Sequence, residues 1–371
     1  MTESLLPARH SCKSKTVALY DVDSRIPNLA LMKLSARFKQ RGFNVLLLRS
    51  IEYIKADAYY AASVFYCARS RSRIAALRGL YGADIQLGGT GWNLRSRLPT
   101  EAEVCFPDYS LYDHSAYALG FLTRGCNGGC PFCLVPRKEG RLRLEKGGFD
   151  AFVPPGQTNV LLLDNNILVH PAAADLLQEM IDRRYAVNFS QSLEFKALTP
   201  ALFDLLCQVD SRNARFTRRQ FYFSCNSVAD ADHFEEKRSL LKALGKDRVT
   251  VIAMYGYNTR LSEDYRRLRV LRRLRLIPFF QEYWPLKNMR SRQPDDFFDM
   301  NLDAVIRLTF RSNGYNWEKY LRWLNRLYFK TFGRYYLPLL QIIYRYNYKK
   351  GIERYLRKPH LLTTELYRKE A

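Results

Sequence analysis

Short apolar runs alternate with helical patterns over the first hundred residues of the chain. Residues 17–20 form an apolar run of strand length, and residues 28–40 follow with apolar positions at helical spacing and Asn28 as the expected N-cap. The alternation continues with strand candidates at 45–48, 64–66 and 85–87 and a helix at 73–80. Such alternation predicts a parallel sheet. We therefore expect an N-terminal tail over residues 1–15 and a Rossmann-like α/β domain over residues 16–105.

A second series of strand-like runs follows a stretch without clear periodicity at residues 92–118. The runs lie at residues 119–122, 160–163, 186–189, 220–223, 249–254 and 277–280. Helical patterns separate several of them, at residues 173–183, 201–209, 234–244 and 263–274. Six βα units fit a partial TIM-type barrel, which we expect over residues 106–300. The aromatic-rich, basic pattern of residues 301–371 predicts a helical C-terminal extension.

One predicted helix, at residues 263–274, is rich in arginine. Leu268, Leu271 and Leu274 share one of its faces. Six arginines occupy other positions between Tyr265 and Leu276: Arg266, Arg267, Arg269, Arg272, Arg273 and Arg275. This pattern predicts an amphipathic helix whose arginines face solvent; binding of phosphate or nucleic acid is the alternative.

The composition excludes a single small module and a disordered chain, since 371 residues are 47% hydrophobic and contain 25 Tyr and 22 Phe. Lys and Arg number 59 against 36 Asp and Glu, a formal net charge of +23. That charge is compatible with an acidic partner, either nucleic acid or an anionic substrate, but we favour the interpretation that the cations simply cover the helix faces of a basic protein. No apolar stretch has membrane-spanning length and residues 1–15 lack signal-peptide features, so we expect a cytoplasmic protein with no membrane span and mostly reduced cysteines.

Three cysteines dominate the candidate chemistry. Cys126, Cys130 and Cys133 are spaced C-x3-C-x2-C on a loop that also contains Gly125, Gly128 and Gly129. The glycines allow the backbone to turn tightly and to direct N–H groups at a bound cluster. Three ligands on a four-iron cluster leave one iron open, as a reactive site requires.

A structural zinc site is the alternative interpretation of these cysteines. Its fourth ligand would be Cys105 or His114. Structural zinc sites usually have paired C-x2-C units, whereas the other cysteines of this chain are isolated.

The segment at residues 120–140, GFLTRGCNGGCPFCLVPRKEG, resembles the cluster loop of radical S-adenosylmethionine (SAM) enzymes, and most closely that of members with an N-terminal cobalamin-binding-like domain. The likeness extends through residues 163–166, 189–193 and 198–200 and covers about residues 16–285.

The resemblance implies that Cys126, Cys130 and Cys133 ligate a four-iron, four-sulfur cluster and that SAM chelates the open iron. It implies reductive cleavage of SAM to a 5′-deoxyadenosyl radical, with an external electron donor such as flavodoxin or ferredoxin. Phe132 matches the aromatic residue whose backbone contacts the adenine. Within this resemblance, further SAM-binding or substrate-binding candidates follow the strands: Asp164, Asn165, Asn166, Gln191, Glu194, Ser224 and Asn226. Capping of turns or helices is the alternative role for them, and no catalytic residue is identifiable.

The N-terminal domain departs from the resemblance. Cobalamin-binding domains commonly use D-x-H-x-x-G, whereas residues 21–27 read DVDSRIP and contain no His. Cobalamin bound through His is therefore not expected. The alternatives are cobalamin bound without a protein ligand and a degenerate domain that caps the barrel or recognises substrate. The GGTG segment at residues 88–91 suits either an anion cradle or a simple glycine turn.

Two functions remain on the sequence evidence. The first is a radical SAM enzyme that acts on an unidentified substrate. The second is a non-catalytic, metal-stabilised protein that binds nucleic acid through its basic surface.

Overall fold

The computed structural model describes residues 15–114, 116–245, 248–283 and 299. Most of the expected N-terminal tail and all of the expected C-terminal extension lie outside these residues. The chain divides into two compact units, Met1–Gly128 with Cys133–Leu161 and Gly129–Phe132 with Leu162–Ala371. None of the helices in the described ranges has both the length and the apolar character that crossing a membrane requires.

The first unit contains a four-stranded parallel sheet of order β2-β1-β3-β4. Its strands are β1 (Thr16–Asp21), β2 (Asn44–Leu48), β3 (Ala58–Ala62) and β4 (Ile85–Gly88), and its helices are α1 (Leu29–Gln40) and α2 (Ala68–Tyr81). The parallel sheet is confirmed, as is the N-cap, because the Asn28 side chain accepts hydrogen bonds from the amides of Ala30 and Leu31.

The strand predicted at residues 64–66 is wrong. The third strand is Ala58–Ala62, which pairs with both β1 and β4. Val64 and Phe65 are exposed and form a turn whose amides donate to the Asp23 carboxylate at 2.7 and 3.2 Å. The apolar character of these two residues therefore does not reflect burial in a sheet.

Alternate residues of β1 supply the two halves of this unit's core. Val17 and Leu19 pack in the cluster that includes Phe38 of α1, whereas Ala18 and Tyr20 pack in the cluster that includes Leu77 of α2. Burial on both faces explains why the strand is continuously apolar.

The remainder of the first unit carries the loop with the three cysteines. Its elements are α3 (Thr100–Glu103), β5 (Ala118–Gly120), β6 (Thr123–Arg124), α4 (Val135–Glu139), β7 (Arg143–Leu144) and β8 (Asn159–Leu162). β6 and β7 form an antiparallel hairpin, and β5 lies beside β8.

The second unit is also α/β. It includes Leu162, the last residue of β8. The strands that follow in this unit are β9 (Ala186–Phe189), β10 (Asp210–Ser211), β11 (Phe221–Ser224), β12 (Val249–Tyr255) and β13 (Ile277–Glu282). Its helices are α5 (Ala173–Asp182), α6 (Pro200–Gln208), α7 (Val228–Glu236), α8 (Arg238–Leu244) and α9 (Leu261–Arg273). β9 pairs in parallel with β10, and β11, β12 and β13 form a parallel sheet. A parallel bridge between Leu193 and Phe223 joins the segment after β9 to β11.

Each of the six strands expected from residue 119 onward overlaps an observed strand, so the mixed α/β class with parallel sheets is confirmed. The single helix expected at residues 234–244 is instead α7 followed by α8. α7 begins earlier because Ser227 and Asp230 form a capping box at its N-terminus.

The expectation that every arginine of α9 faces solvent is wrong for Arg267. Its side chain and that of Asp264 are each 1% exposed, and the Arg267 Nη2 atom lies 2.6 Å from Asp264 Oδ1. The Arg267 Nη1 group donates to the Cys225 carbonyl at 2.9 Å. Spacing of three and four residues places Asp264, Arg267 and Leu271 on the same buried face. Burial raises the pKa of Asp264, an effect that the Arg267 charge opposes.

Replacing Arg267 tests this buried ion pair. We expect Arg267→Leu to lower the free energy of unfolding by about 3–5 kcal/mol, because it leaves a buried carboxylate without its cation. Arg266→Leu is the control, since Arg266 is 59% exposed and pairs with Asp232 at the surface; its effect should stay below about 1 kcal/mol. Urea denaturation measures both, and equal losses would contradict the assignment.

Candidate functional site

The β6–β7 hairpin closes the base of the cysteine loop. Thr123 pairs with Leu144 and Arg124 with Arg143, and the Cys126 amide donates to the Gly140 carbonyl at 3.2 Å. The chain therefore leaves the hairpin immediately before Cys126 and returns to it soon after α4. This short closed loop limits the positions available to all three cysteines.

Gly125 is the loop glycine that the backbone requires. Its φ is +86°, and a Cβ atom there would lie 2.3 Å from the Arg141 carbonyl oxygen and 2.6 Å from that of Gly140. Gly128 and Gly129, by contrast, are not among the glycines with a positive φ. Gly128 contributes differently, because its N–H donates to Cys126 Sγ at 3.2 Å, as expected for a backbone that stabilises a thiolate.

Arg124 connects the hairpin to three carboxylates. Its guanidinium lies 3.0 Å from Glu103, 3.7 Å from Glu139 and 4.0 Å from Glu145, and it stacks 4.4 Å from the centroid of the Phe121 ring. The Arg124 side chain is 16% exposed, so these contacts are partly shielded from solvent. Because Glu139 and Glu145 follow the cysteines, Arg124 holds the returning segment of the loop against the outgoing one.

The three cysteines differ in environment. Cys126 and Cys133 are half-buried, and Cys130 is exposed. Burial raises the pKa of the Cys133 thiol, and its neighbour Cys126 raises it further. A raised pKa favours the protonated thiol, so a bound metal would have to displace the proton of Cys133.

The tip of the loop belongs to the second unit, at the carboxyl ends of its strands. The Phe132 ring packs edge-to-face on Tyr257, with centroids 5.5 Å apart, and Tyr257 packs in the same way on Tyr283 at 4.8 Å. Tyr257 follows β12 and Tyr283 follows β13. Sequence reasoning missed both tyrosines, although each lies three residues after the end of a predicted strand.

A charged cluster accompanies Cys130 in the second unit. Lys196 Nζ lies 3.5 Å from Glu194 and 3.9 Å from Asp230. Burial opposes the charge on Lys196, but Glu194, Asp230 and Cys130 together raise its pKa. Lys196, which sequence reasoning also missed, therefore supplies a positive charge that acts on the Cys130 thiol.

The residues expected to bind SAM after β8 lie in a largely buried turn. Asp164 is 6% and Asn166 is 9% exposed, and Asn165 is half-buried between them. Burying a carboxylate is costly unless polar groups surround it. The turn therefore presents acceptor oxygens in a shielded position.

The residues expected after β9 and β11 lie on connected loops. The Ser190 hydroxyl donates to the Leu162 carbonyl at 2.7 Å, which joins the loops after β8 and β9, and the exposed Gln191 amide lies 3.5 Å from the same hydroxyl. The Ser224 amide donates to the Leu193 carbonyl at 3.1 Å.

Asn226 serves partly to hold the loops together. Its side-chain Oδ1 accepts from the backbone N–H of Met254 at 3.3 Å, and its own backbone N–H donates to the Asp230 carboxylate at 2.8 Å. The Asn226 side-chain oxygen thus already accepts one hydrogen bond, and its NH₂ group is the donor that it offers to a ligand.

The residues of the zinc alternative make other contacts. The Cys105 thiol donates to the Glu101 carbonyl at 3.0 Å, and the His114 ring lies 4.2 Å from that of Tyr117. Across the described part of the chain, no three His, Cys, Asp or Glu side chains are grouped closely enough to hold one metal ion.

Comparison with known proteins adds little to this geometry. No protein-family model matches the chain, and no curated protein sequence matches it. The structure of Streptococcus suis SuiB bound to S-adenosylmethionine is 10% identical, with a TM-score of 0.32 over 54% of this chain and 48% of that chain. A second SuiB structure is 11% identical, with a TM-score of 0.33 over 54% of this chain and 47% of that one. The chain thus matches about half the length of SuiB, and at this similarity neither match bears on fold or activity.

Substituting two loop glycines tests the closed base of the loop. Gly125→Ala should lower the free energy of unfolding by about 1–3 kcal/mol, because it combines a positive φ with a clash against the backbone. Gly129→Ala is the matched control, since a Cβ there meets nothing within 4 Å; we expect it to be nearly neutral. Thermal and urea unfolding compare them, and a neutral Gly125→Ala would contradict the described hairpin.

Proposed function

We propose that this chain is a radical SAM enzyme. It binds a four-iron, four-sulfur cluster through Cys126, Cys130 and Cys133 and uses SAM to produce a 5′-deoxyadenosyl radical that acts on an unidentified substrate. The observation that carries the proposal is the C-x3-C-x2-C loop, whose tip packs in the second unit on tyrosines that follow parallel strands. The carboxyl ends of such strands are where α/β proteins place their reactive groups.

The donor set fits a cluster better than a single ion. One tetrahedral zinc would draw its thiolates to within about 4 Å of each other. A four-iron cluster binds each thiolate through a different iron and so holds the sulfurs farther apart. We assign the second arrangement to this loop on its C-x3-C-x2-C spacing, since structural zinc sites usually have paired C-x2-C units. The Gly128 N–H on Cys126 and the Lys196 charge near Cys130 would both stabilise bound thiolates.

When bound, the cluster supplies the electron that cleaves SAM to methionine and the 5′-deoxyadenosyl radical. The protein's task is to orient SAM and to exclude water. Asp164, with Asn165 and Asn166, is placed in this proposal to receive the SAM ammonium group, because a shielded carboxylate and amide oxygens accept its protons.

Other groups of the second unit complete the proposed pocket. The backbone of Phe132 contacts the adenine in this proposal, and packing of its ring on Tyr257, which packs on Tyr283, supports that position. Further polar contacts to the SAM ribose and carboxylate come from Gln191, Glu194, Ser224 and Asn226. The proposal includes the closure of β5, β8, β9, β11, β12 and β13 into a partial barrel and an external electron donor such as flavodoxin or ferredoxin.

The cysteines provide the first test. Cys126→Ala, Cys130→Ala and Cys133→Ala should each abolish SAM cleavage, because two thiolates do not hold the cluster in a reactive state. Cys207→Ala is the control, since Cys207 is a half-buried residue of α6 remote in sequence from the loop. The assay is 5′-deoxyadenosine production after anaerobic reconstitution with iron and sulfide. Full activity in any loop variant would refute the cluster assignment, and a colourless, zinc-binding protein would support the nucleic-acid-binding alternative.

Asp164 provides the second test. Asp164→Ala should weaken SAM binding about ten- to a hundred-fold without loss of iron, as expected for one charge-assisted hydrogen bond of about 1.5–3 kcal/mol. Asp164→Asn should fall between, because it keeps the shape but loses the charge. Asp175→Ala removes an exposed carboxylate of α5 and controls for net charge. In calorimetric titration, unchanged affinity would restrict Asp164 to turn formation, and lost iron would assign it to folding of the loop.

A further inference from the structure

The first unit contains a cavity of about 380 Å³ that the proposed function does not use. Its walls are the first half of α1, the residues that end and follow β3 and β4, the segment before α3, and parts of β6 and α4. None of the residues proposed to bind the cluster or SAM lines it. Its volume is within the range of small-molecule sites.

The sheet topology places this cavity where parallel sheets bind ligands. In the order β2-β1-β3-β4, the chain connects β1 to one neighbour and then crosses to the other side, so the direction of winding reverses between β1 and β3. α1, which follows β1, and the end of β3 both line the cavity. The crevice at such a reversal, beyond the carboxyl ends of the strands, is the usual ligand position.

Two of the cations that line the cavity form no ion pair with a carboxylate of the described residues. Lys33 and Arg124 both pair with Glu103, at 3.6 and 3.0 Å, and Arg124 also pairs with Glu139. Within the described ranges, by contrast, Arg97 and Lys138 form no ion pair with a carboxylate.

The hydrogen bonds of Arg97 and Lys138 are to backbone carbonyls. The Lys138 ammonium donates to the Ser96 carbonyl at 2.8 Å, and Arg97 donates to the Leu94 carbonyl at 2.7 Å and to the Lys138 carbonyl. The burial of Lys138 and the nearby charge of Arg97 lower the pKa of this lysine. The charges of Glu139 and Glu103 oppose this lowering, but neither carboxylate forms an ion pair with Lys138. Two adjacent cations without an ion-pair partner at a cavity wall favour an anion there.

The GGTG segment does not need an anion to explain its glycines. A Cβ on Gly89 would lie 2.1 Å from the Ser63 carbonyl oxygen, and one on Gly91 would lie 2.4 Å from that of Phe65. Close packing of two backbone segments therefore accounts for the glycines, in agreement with the simple-turn interpretation. The charge that attracts an anion comes from Arg97 and Lys138 instead.

The rest of the lining is mostly apolar and includes two rings. The larger apolar side chains include Leu29, Leu34, Tyr60, Leu87, Leu98 and Phe121. A ligand that filled this space would place an apolar body against these side chains and an anionic group against the two cations.

We propose that this cavity binds a small organic anion, a carboxylate or phosphate on a flat apolar body, and that Arg97 and Lys138 hold the anionic group. Phosphate and carboxylate both suit a guanidinium next to an ammonium. Binding requires no iron–sulfur cluster, so this proposal stands independently of the proposed function.

Three naphthalene probes test the proposal on the full-length purified chain. 1-Naphthyl phosphate and 1-naphthoate carry the two candidate anions, and 1-naphthol is the neutral control. Calorimetric titration at 0.15 M salt should show one site for at least one anion, with 1-naphthol at least about ten-fold weaker. The stronger of the two anions identifies the class of ligand. Absence of binding by both anions would overturn the proposal.

Variants distinguish anion binding in the cavity from nonspecific anion binding at the basic surface. Arg97→Gln and Lys138→Gln should each weaken the anion about ten-fold or more, whereas Arg95→Gln, an exposed arginine outside the lining, should leave affinity unchanged. Leu29→Trp should fill the space and abolish binding, which keeps the test decisive if a charge variant folds poorly. Binding at several sites that Arg97→Gln, Lys138→Gln and Leu29→Trp all leave intact would contradict the proposal.

Discussion

The contacts of Arg124 with three carboxylates are the constraint on which the candidate site depends. The cysteine loop leaves and re-enters a hairpin of two residue pairs, which by itself offers few hydrogen bonds. Arg124 supplements it by bridging β6 to Glu139 and Glu145 on the returning chain and to Glu103 outside the loop. Because one partly shielded guanidinium serves several partners, the loop is held at its base while its cysteines stay available.

Contacts divide the loop between the two units. Cys126 and Cys133 belong with the hairpin, whereas Gly129–Phe132 belong with the strands of the second unit. In the second unit, Phe132 packs on Tyr257, and the charge of Lys196 acts on Cys130. Aromatic packing favours a defined position for the loop tip, and the nearby cation favours a charged thiolate. Neither requires a preformed site for a single metal ion.

The local pattern of apolar residues predicted strands correctly where an apolar run is itself buried in a sheet. It failed where contacts with other residues determine the structure of a segment. The run at residues 17–20 is a fully buried strand, and the run at residues 249–254 is a strand whose residues alternate between buried and partly exposed. Val64 and Phe65 form a turn because Asp23, more than forty residues earlier, accepts their amides. Arg267 is buried because Asp264 and the Cys225 carbonyl satisfy it, which helical spacing alone does not reveal.

The candidate site shows the same division. The cysteine spacing and the residues after the strands were visible in the sequence, because chemistry and order along the chain identify them. Lys196, Tyr257 and the cavity beside Arg97 and Lys138 depend on contacts between segments far apart in sequence. Only three-dimensional packing brings such groups together.

Electron paramagnetic resonance of the anaerobically reconstituted, dithionite-reduced protein tests the central claim most directly. A four-iron cluster held by three cysteines has one iron open to SAM. The account predicts a reduced-cluster signal whose shape changes when SAM is added and which is lost in Cys130→Ala. A reduced-cluster signal that SAM leaves unchanged, or a protein that takes up no iron and sulfide, would contradict it.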